Sequence, residues 1–144
     1  MIEWGEQCHF IKESLLTGHA IAVSDGSFKD KRGLAAWVLE GESNTGCMIG
    51  YNFIPGAKKE QSTYRSELAG LLVVVTMVSE LCIFCSIKEG RITIGCDNLS
   101  AITLAFDQEI SISTNMSDFD ILYTIRNTIV NYPISWQTMH VRGH

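Results

Sequence analysis

The chain has 144 residues, of which 46% are hydrophobic, and this size suits one compact domain with a substantial core. Its formal net charge is −5, from sixteen acidic and eleven basic residues. A protein that grips nucleic acid alone usually has a basic face. The charge therefore argues against a free-standing nucleic-acid binder, and leaves local patches, a bound metal or a larger polypeptide as the means of contact.

The first segment, residues 1–19, is a poorly patterned lead-in, in which a short helix around Phe10 to Leu16 is the one predicted element. The pattern changes at Ala20, where the short apolar run to Asp25 predicts a strand buried on both faces. We expect this strand to end in a polar turn formed by Asp25, Gly26 and Ser27.

Two further apolar runs, Leu34–Glu40 and Cys47–Ile54, follow over short connections, so the first three strands are predicted to form an antiparallel meander. The longest helix is predicted from Tyr64 to about Cys85, where apolar residues recur at helical spacing. The β-branched run Val73–Val75 leaves a strand as an alternative, but the length of the pattern favours a helix.

The second half of the chain alternates strands and helices. Its predicted elements are a strand over Arg91–Cys96, a short helix over Asn98–Phe106, a loop over 107–116, a helix capped by Ser117 that ends before Pro133, and a strand over Ile134–Val141. Crossover helices would place the first, fourth and last strands side by side. The chain is therefore predicted to be an α/β protein with a mixed sheet covered by helices.

The five cysteines lie mostly among apolar residues. Cys82 and Cys85 form a C-x-x-C pair, but no second pair or suitably spaced histidines accompany it, so buried reduced thiols are favoured over a zinc or redox site. Reduced cysteines fit an intracellular compartment. The first residues lack the features of a signal peptide, and the longest apolar stretch, Leu71 to Val75, is too short to span a membrane, so no membrane contact is expected.

Three acidic residues lie at the ends of predicted elements. Asp25 ends the first strand, Asp97 follows the fourth, and Glu67 is in the first turns of the long helix. If the two strands are neighbours, the aspartates meet and the helix can bring Glu67 to them. Converging carboxylates repel one another unless some become protonated or a cation neutralises them, and magnesium or manganese suits such oxygen ligands. The alternative is that these are ordinary turn and cap residues.

Four short blocks surround these acids in order: SDGS at 24–27, YRSELAGL at 64–71, CDNLSA at 96–101 and HVRGH at 140–144. They resemble the motif blocks of ribonuclease H, most closely those of the ribonuclease H domains of retrotransposon reverse transcriptases. The resemblance covers about residues 20–144. It implies the ribonuclease H-like fold, with a five-stranded mixed sheet of order 3-2-1-4-5 flanked by helices.

The resemblance also assigns chemistry to the acids. It makes Asp25, Glu67 and Asp97 the ligands of two magnesium ions, with manganese as a substitute, in a site that hydrolyses the RNA strand of RNA–DNA hybrids. His144 matches the family's mobile histidine near the active site, which is thought to help the product leave.

Substrate contacts follow from the same blocks. Gly26, Ser27 and Asn98 match positions that approach the RNA strand, where a contact to the 2′-hydroxyl distinguishes RNA from DNA. His140, which precedes the matching histidine position, is assigned a structural role.

The sequence departs from the family in three places. The family's fourth carboxylate and final helix would lie beyond His144, so the chain is expected to be a truncated domain. Thr63-Tyr64 replaces a pair that contacts the minor groove in many relatives, and no basic helix lies between Asn98 and Asp118. Weak autonomous binding is expected, with a tethered polymerase domain supplying the grip on the hybrid. Two alternatives stay open: a catalytically inactive structural or nucleic-acid-binding module, and a nuclease or integrase of this fold that acts on DNA.

Overall fold

The computed structural model describes residues 4–41, 47–54, 56, 61–132 and 134–142. In chain order, the elements in these residues are α1 Trp4–Thr17, β1 Ala20–Lys29, β2 Arg32–Glu40, β3 Cys47–Phe53, α2 Thr63–Phe84, β4 Arg91–Cys96, α3 Leu99–Phe106, α4 Phe119–Val130 and β5 Ser135–His140. The strands form one sheet of order β3-β2-β1-β4-β5. The predicted α/β architecture and strand order are confirmed.

The first three strands form the predicted antiparallel meander. β1 and β2 are joined by Asp30 and Lys31, whose φ angles of 53° and 63° are those of a two-residue hairpin that matches the twist of the strands. The polar turn predicted at 25–27 is wrong, because β1 continues through these residues to the hairpin. Gly26, for example, pairs with Ala35 of β2.

The last two strands run parallel to β1, with β4 between β1 and β5. Helices lie in both connections, as predicted. One face of β1 and β4 carries Ala20, Ala22, Ile92 and Ile94, all fully buried in the hydrophobic core that α2 shares. The sheet positions its β1 and β4 ends against the start of this helix.

Helix α2 is the central element of the core. It begins after Ser62, whose side-chain oxygen accepts a hydrogen bond from the backbone N–H of Arg65 at 3.0 Å. By length and composition, this 22-residue helix is long and apolar enough to cross a membrane, but 61% of its apolar window is buried inside the fold. Burial of this extent is what the core helix of a globular protein shows.

Helix α1 packs on the same core through Ile11 and Leu15. A disulfide joins Cys8 of α1 to Cys85 at the end of α2, with 5.3 Å between the two Cα atoms. The prediction of reduced thiols is therefore wrong for this pair, and right for Cys82 and Cys96, which are buried free thiols. The paired cysteines are 77 residues apart, so only the packing of α1 beside α2 brings them together.

Strand β3 forms one edge of the sheet, since it pairs with β2 alone. Every second side chain of a strand lies on the same face. On β3 these side chains are Ile49, Tyr51 and Phe53, which are 72–76% exposed and which we call the β3 apolar row. The seven residues of the strand include no charged side chain. The edge therefore presents apolar groups to solvent.

Candidate metal centre

The register of β1 and β4 places two aspartates side by side. The parallel pairing ends where Ser24 lies opposite Cys96, and Asp25 and Asp97 are the next residues of the two segments. Adjacent strands are about 4.8 Å apart, so the backbones of the two acids are neighbours. The sequence had suggested that Asp25 ends β1. It is instead paired with Ala36 of β2 and lies inside the strand.

Glu67, the fifth residue of α2, lies near the two aspartates because the backbones of α2 and β1 are in close contact. A Cβ atom built on Gly26 would lie 2.5 Å from the backbone nitrogen of Glu67 and 2.5 Å from the carbonyl carbon of Ser66. Real Cβ atoms do not come so close to backbone, so only glycine allows α2 to approach β1 here. The structure thus gives Gly26 a packing role in addition to the substrate contact predicted for it.

Glu67, Cys96 and Asp97 each offer one ligand atom, and these atoms lie within 4.8 Å of one another. The thiol of Cys96 donates to Oε2 of Glu67 across 3.4 Å. Glu67 is only 3% exposed, Cys96 is fully buried and Asp97 is half-buried. Asp25 is exposed and stands outside this group, although its carboxylate acts electrostatically on Glu67.

Burial and like charges disfavour the ionised form of Glu67. Desolvation, then the negative charge of Asp97 and least that of Asp25, raise its pKa to about 7, against the lowering effect of the Cys96 thiol and the Gly26 backbone. Desolvation also raises the pKa of Cys96 to about 12. A cation bound here would relieve the repulsion between the carboxylates.

The donor set fits magnesium or manganese. Both ions prefer carboxylate oxygens, which Asp25, Glu67 and Asp97 supply. Cys96 adds a sulfur donor that neither ion favours. The site therefore combines ligands for a hard cation with one ligand for a softer one.

Three hydrogen bonds fix the backbone around Asp97. The ring Nε2–H of His140 donates to the carbonyl oxygen of Asp97 at 2.8 Å, in keeping with the structural role predicted for this histidine. Asn98 caps α3, because its Oδ1 accepts a hydrogen bond from the backbone N–H of Ala101 at 3.0 Å. The backbone N–H of Asn98 also donates to Cys96 Sγ at 3.5 Å.

Two predicted residues remain. Ser27 is exposed and follows Gly26 on β1. His144 lies outside the described residues, so its contribution to product release stays a prediction.

The sequence did not indicate Arg65, a buried residue that supports the site from α2. Its guanidinium donates to Asp118 at 2.9 Å and to both carboxylate oxygens of Asp120 at 3.0 and 2.8 Å. Hydrogen bonds to Asp120 and Asp118 raise the pKa of Arg65 against the effect of burial. These contacts tie the turn that carries Glu67 to the start of α4. The partners are 53 and 55 residues away, and no local pattern could have revealed them.

Comparison with known proteins shows the fold of the chain. No protein-family model matches the chain, and no curated protein does. Similar solved structures include the ribonuclease H1 of the halophilic archaeon Halobacterium salinarum NRC-1, which is 17% identical over 85% of each chain with a TM-score of 0.55. LC11-RNase H1, isolated from compost by a metagenomic approach and solved in complex with an RNA/DNA hybrid, is 10% identical over 85% of each chain with a TM-score of 0.60.

A third similar structure is an N-terminal ribonuclease H domain from Mycobacterium tuberculosis, solved as a fusion with maltose binding protein. It is 9% identical, with 85% of this chain and 87% of that one covered and a TM-score of 0.53. At such identities the likeness shows the ribonuclease H-like fold, and the functions of these proteins are not carried over by it.

Proposed function

We propose that the chain hydrolyses the RNA strand of RNA–DNA hybrids internally, with two magnesium ions bound by Asp25, Glu67 and Asp97. The observation that carries this proposal is the meeting of Glu67 and Asp97 beside Asp25, where the β1–β4 pairing ends. The fold supports it, because one of the similar structures is a ribonuclease H1 in complex with an RNA/DNA hybrid.

Each carboxylate has a different task in this proposal. When bound, the ions would activate a water and stabilise the departing oxygen of the phosphodiester. Glu67 is buried and fixed by the contact of α2 with Gly26, so it provides a ligand that does not need to be reoriented. Asp97 is held through its backbone by His140. Asp25 is exposed, and is the carboxylate that an incoming phosphate would meet from solvent.

Substrate contacts are proposed beside the same carboxylates, where the pairing of β1 with β4 ends. The hydroxyl of exposed Ser27 and the backbone of Gly26 lie next to Asp25 along β1. Oδ1 of Asn98 is engaged in the α3 cap, which leaves its Nδ2 group as a donor for the 2′-hydroxyl of the RNA strand. We assign to His144 the release of the product.

The acidic composition suggests that the chain does not work alone. Phosphate contacts from lysine and arginine supply most of the non-specific affinity for nucleic acid, and the net charge of −5 offers little of it. We therefore propose that residues 20–144 act as the ribonuclease H domain of a retrotransposon-type reverse transcriptase. Its polymerase domain would hold the hybrid.

The direct test is cleavage of an end-labelled RNA–DNA hybrid in magnesium. We expect Asp97→Asn to lower the cleavage rate at least about a hundredfold, the scale of loss when one preorganised electrostatic contact is removed. Glu109→Gln, at an exposed residue of the loop after α3, is the matched control and should cut like the wild type.

Two kinds of result would contradict the proposal. One is equal cleavage by Asp97→Asn and the wild type, or undiminished cleavage in EDTA. The other is a wild-type chain that binds the hybrid and leaves it intact, which would make the chain an inactive binding module.

A further inference from the structure

Among the residues that the structure describes, Cys96 is the sulfur donor beside the carboxylates of the candidate metal centre. A buried cysteine ordinarily acts as a small apolar side chain. Here the sulfur atom faces a carboxylate instead, with Oε2 of Glu67 at 3.4 Å and the backbone N–H of Asn98 at 3.5 Å. The side chain therefore contributes a polar atom to the site.

The separation of these atoms matches that of two ligands on a tetrahedral zinc ion. Zinc binds sulfur at about 2.3 Å and carboxylate oxygen at about 2.0 Å, so two such ligands at a tetrahedral angle are about 3.5 Å apart. The observed distance between Cys96 Sγ and Glu67 Oε2 is 3.4 Å. A carboxylate oxygen of Asp97 completes the set, with all three ligand atoms within 4.8 Å of one another.

Two of the three ligands, Cys96 and Glu67, are also held in place before any ion arrives. Cys96 is fully buried on β4 and Glu67 is 3% exposed on α2, with its carboxylate directed at the sulfur. Asp97 is half-buried and offers the side of the site that faces solvent. Little ordering of side chains is then needed on binding, and a preformed site binds more tightly for that reason.

We propose that Cys96, Glu67 and Asp97 bind a thiophilic divalent cation, of which zinc is the first candidate, and that this cation excludes magnesium from the same carboxylates. Zinc binds a site that includes sulfur more tightly than magnesium or manganese does. As the metal–sulfur bond forms, the thiol gives up its proton to solvent. The exclusion of magnesium rests on the proposed function, whereas the binding of zinc does not.

Cobalt titration tests the sulfur ligand without any need for catalysis. Cobalt(II) takes zinc sites, and its bond to a thiolate gives a charge-transfer absorption in the near ultraviolet. We expect the wild type to show this absorption, Cys96→Ser to lose it, and the matched variants Cys82→Ser and Cys47→Ser to keep it. Absorption that persists in Cys96→Ser would overturn the proposal.

Cadmium NMR on the wild-type chain makes the test independent of whether a variant folds. A thiolate ligand moves the cadmium resonance far downfield of the region for oxygen ligands alone. We expect a downfield resonance from the chain with one equivalent of cadmium. A resonance in the all-oxygen region, or no bound resonance at all, would overturn the proposal.

Zinc inhibition separates this proposal from the nuclease activity. In the magnesium-dependent cleavage assay, the zinc concentration that halves each protein's own activity should be roughly tenfold or more higher for Cys96→Ser than for the wild type. Losing a group that only supports a metal ligand already costs about tenfold in metal affinity, and Cys96 is proposed as a ligand itself. An unchanged half-inhibitory zinc concentration would refute the proposal that zinc bound at Cys96 excludes magnesium. If the cobalt absorption appears in a chain that never cleaves a hybrid, the sulfur-containing site stands and the proposed function falls.

Discussion

At the scale of single residues, Glu67 links the candidate site to stability. Its pKa of about 7 in the folded chain lies above the ordinary value of 4.5, because the side chain is buried beside Asp97. Between these two pH values the folded chain keeps a proton that the unfolded chain has lost. This contribution therefore stabilises the fold at low pH and is lost as the pH rises through about 7.

The expected result follows for the metal-free chain. In EDTA, the free energy of unfolding of the wild type relative to Glu67→Gln should fall as the pH rises from 4.5 to 7 and then level off. Urea denaturation at a series of pH values measures it. A difference that does not change with pH would show that Glu67 titrates alike in the folded and unfolded chains.

The acidic residues illustrate what the sequence can predict at this scale. The start of α2 and the end of β4 could be located from local patterns, which is why Glu67 and Asp97 were expected together. The surroundings of Asp25 were not foreseen, because the pairing of β1 with β2 extends past its pairing with β4. Cys96 was expected to be a buried thiol, and it is one. The carboxylate that faces its sulfur belongs to a helix 29 residues away in sequence and could not be read from the local pattern.

At the scale of elements, Arg65 connects α2 to α4 through a buried ion pair. Asp118 is 6% exposed, so removing the guanidinium leaves a buried carboxylate without its charged partner. We expect Arg65→Ala to lower the free energy of unfolding by about 3 kcal/mol in urea denaturation. Arg32→Ala, at an exposed arginine of β2, is the control and should have little effect.

The two aspartates should differ in the same experiment. Asp120 is 65% exposed and its removal leaves Arg65 paired with Asp118, so we expect Asp120→Ala to cost about 1 kcal/mol or less. A loss from Asp120→Ala as large as that from Arg65→Ala would mean that the exposed carboxylate, rather than the buried one, stabilises the contact.

Most element bounds were predicted within a few residues, and the exceptions have tertiary causes. Ser117 was expected to cap α4, but the N-cap is Asp118, with a φ of 62° and no side-chain capping bond. The Asp118 carboxylate is bound by Arg65 from α2, and the Ser117 hydroxyl donates to it at 3.1 Å. A contact from a distant helix thus decides the local geometry of this helix start.

At the scale of the whole molecule, the disulfide between Cys8 and Cys85 attaches α1 to the rest of the fold. A crosslink across 77 residues restricts the unfolded chain, and such crosslinks typically stabilise by about 2–4 kcal/mol. We expect dithiothreitol to lower the free energy of unfolding of the wild type by this amount. The reductant should not affect Cys8→Ser, and equal effects on the two proteins would refute the attachment.

The overall architecture could be predicted from the sequence, whereas the disulfide between Cys8 and Cys85 could not. Strand order follows from short hairpins in the first half and crossover helices in the second, both of which leave patterns along the chain. The pairing of Cys8 with Cys85 leaves none, because it depends on where α1 comes to lie. For the same reason, the lead-in appeared poorly patterned although α1 buries Ile11 and Leu15.

The β3 apolar row has a consequence for the colloidal behaviour of the purified chain. Edge strands usually avoid joining other sheets by means of lysines, prolines or bulges, and β3 pairs regularly with β2 without any of these. We expect light scattering by the wild type to increase with protein concentration, and Tyr51→Lys to suppress the increase. Equal scattering from both proteins would show that the edge strand β3 does not cause the association. Concentration, more than temperature, should then limit how long a sample stays monodisperse.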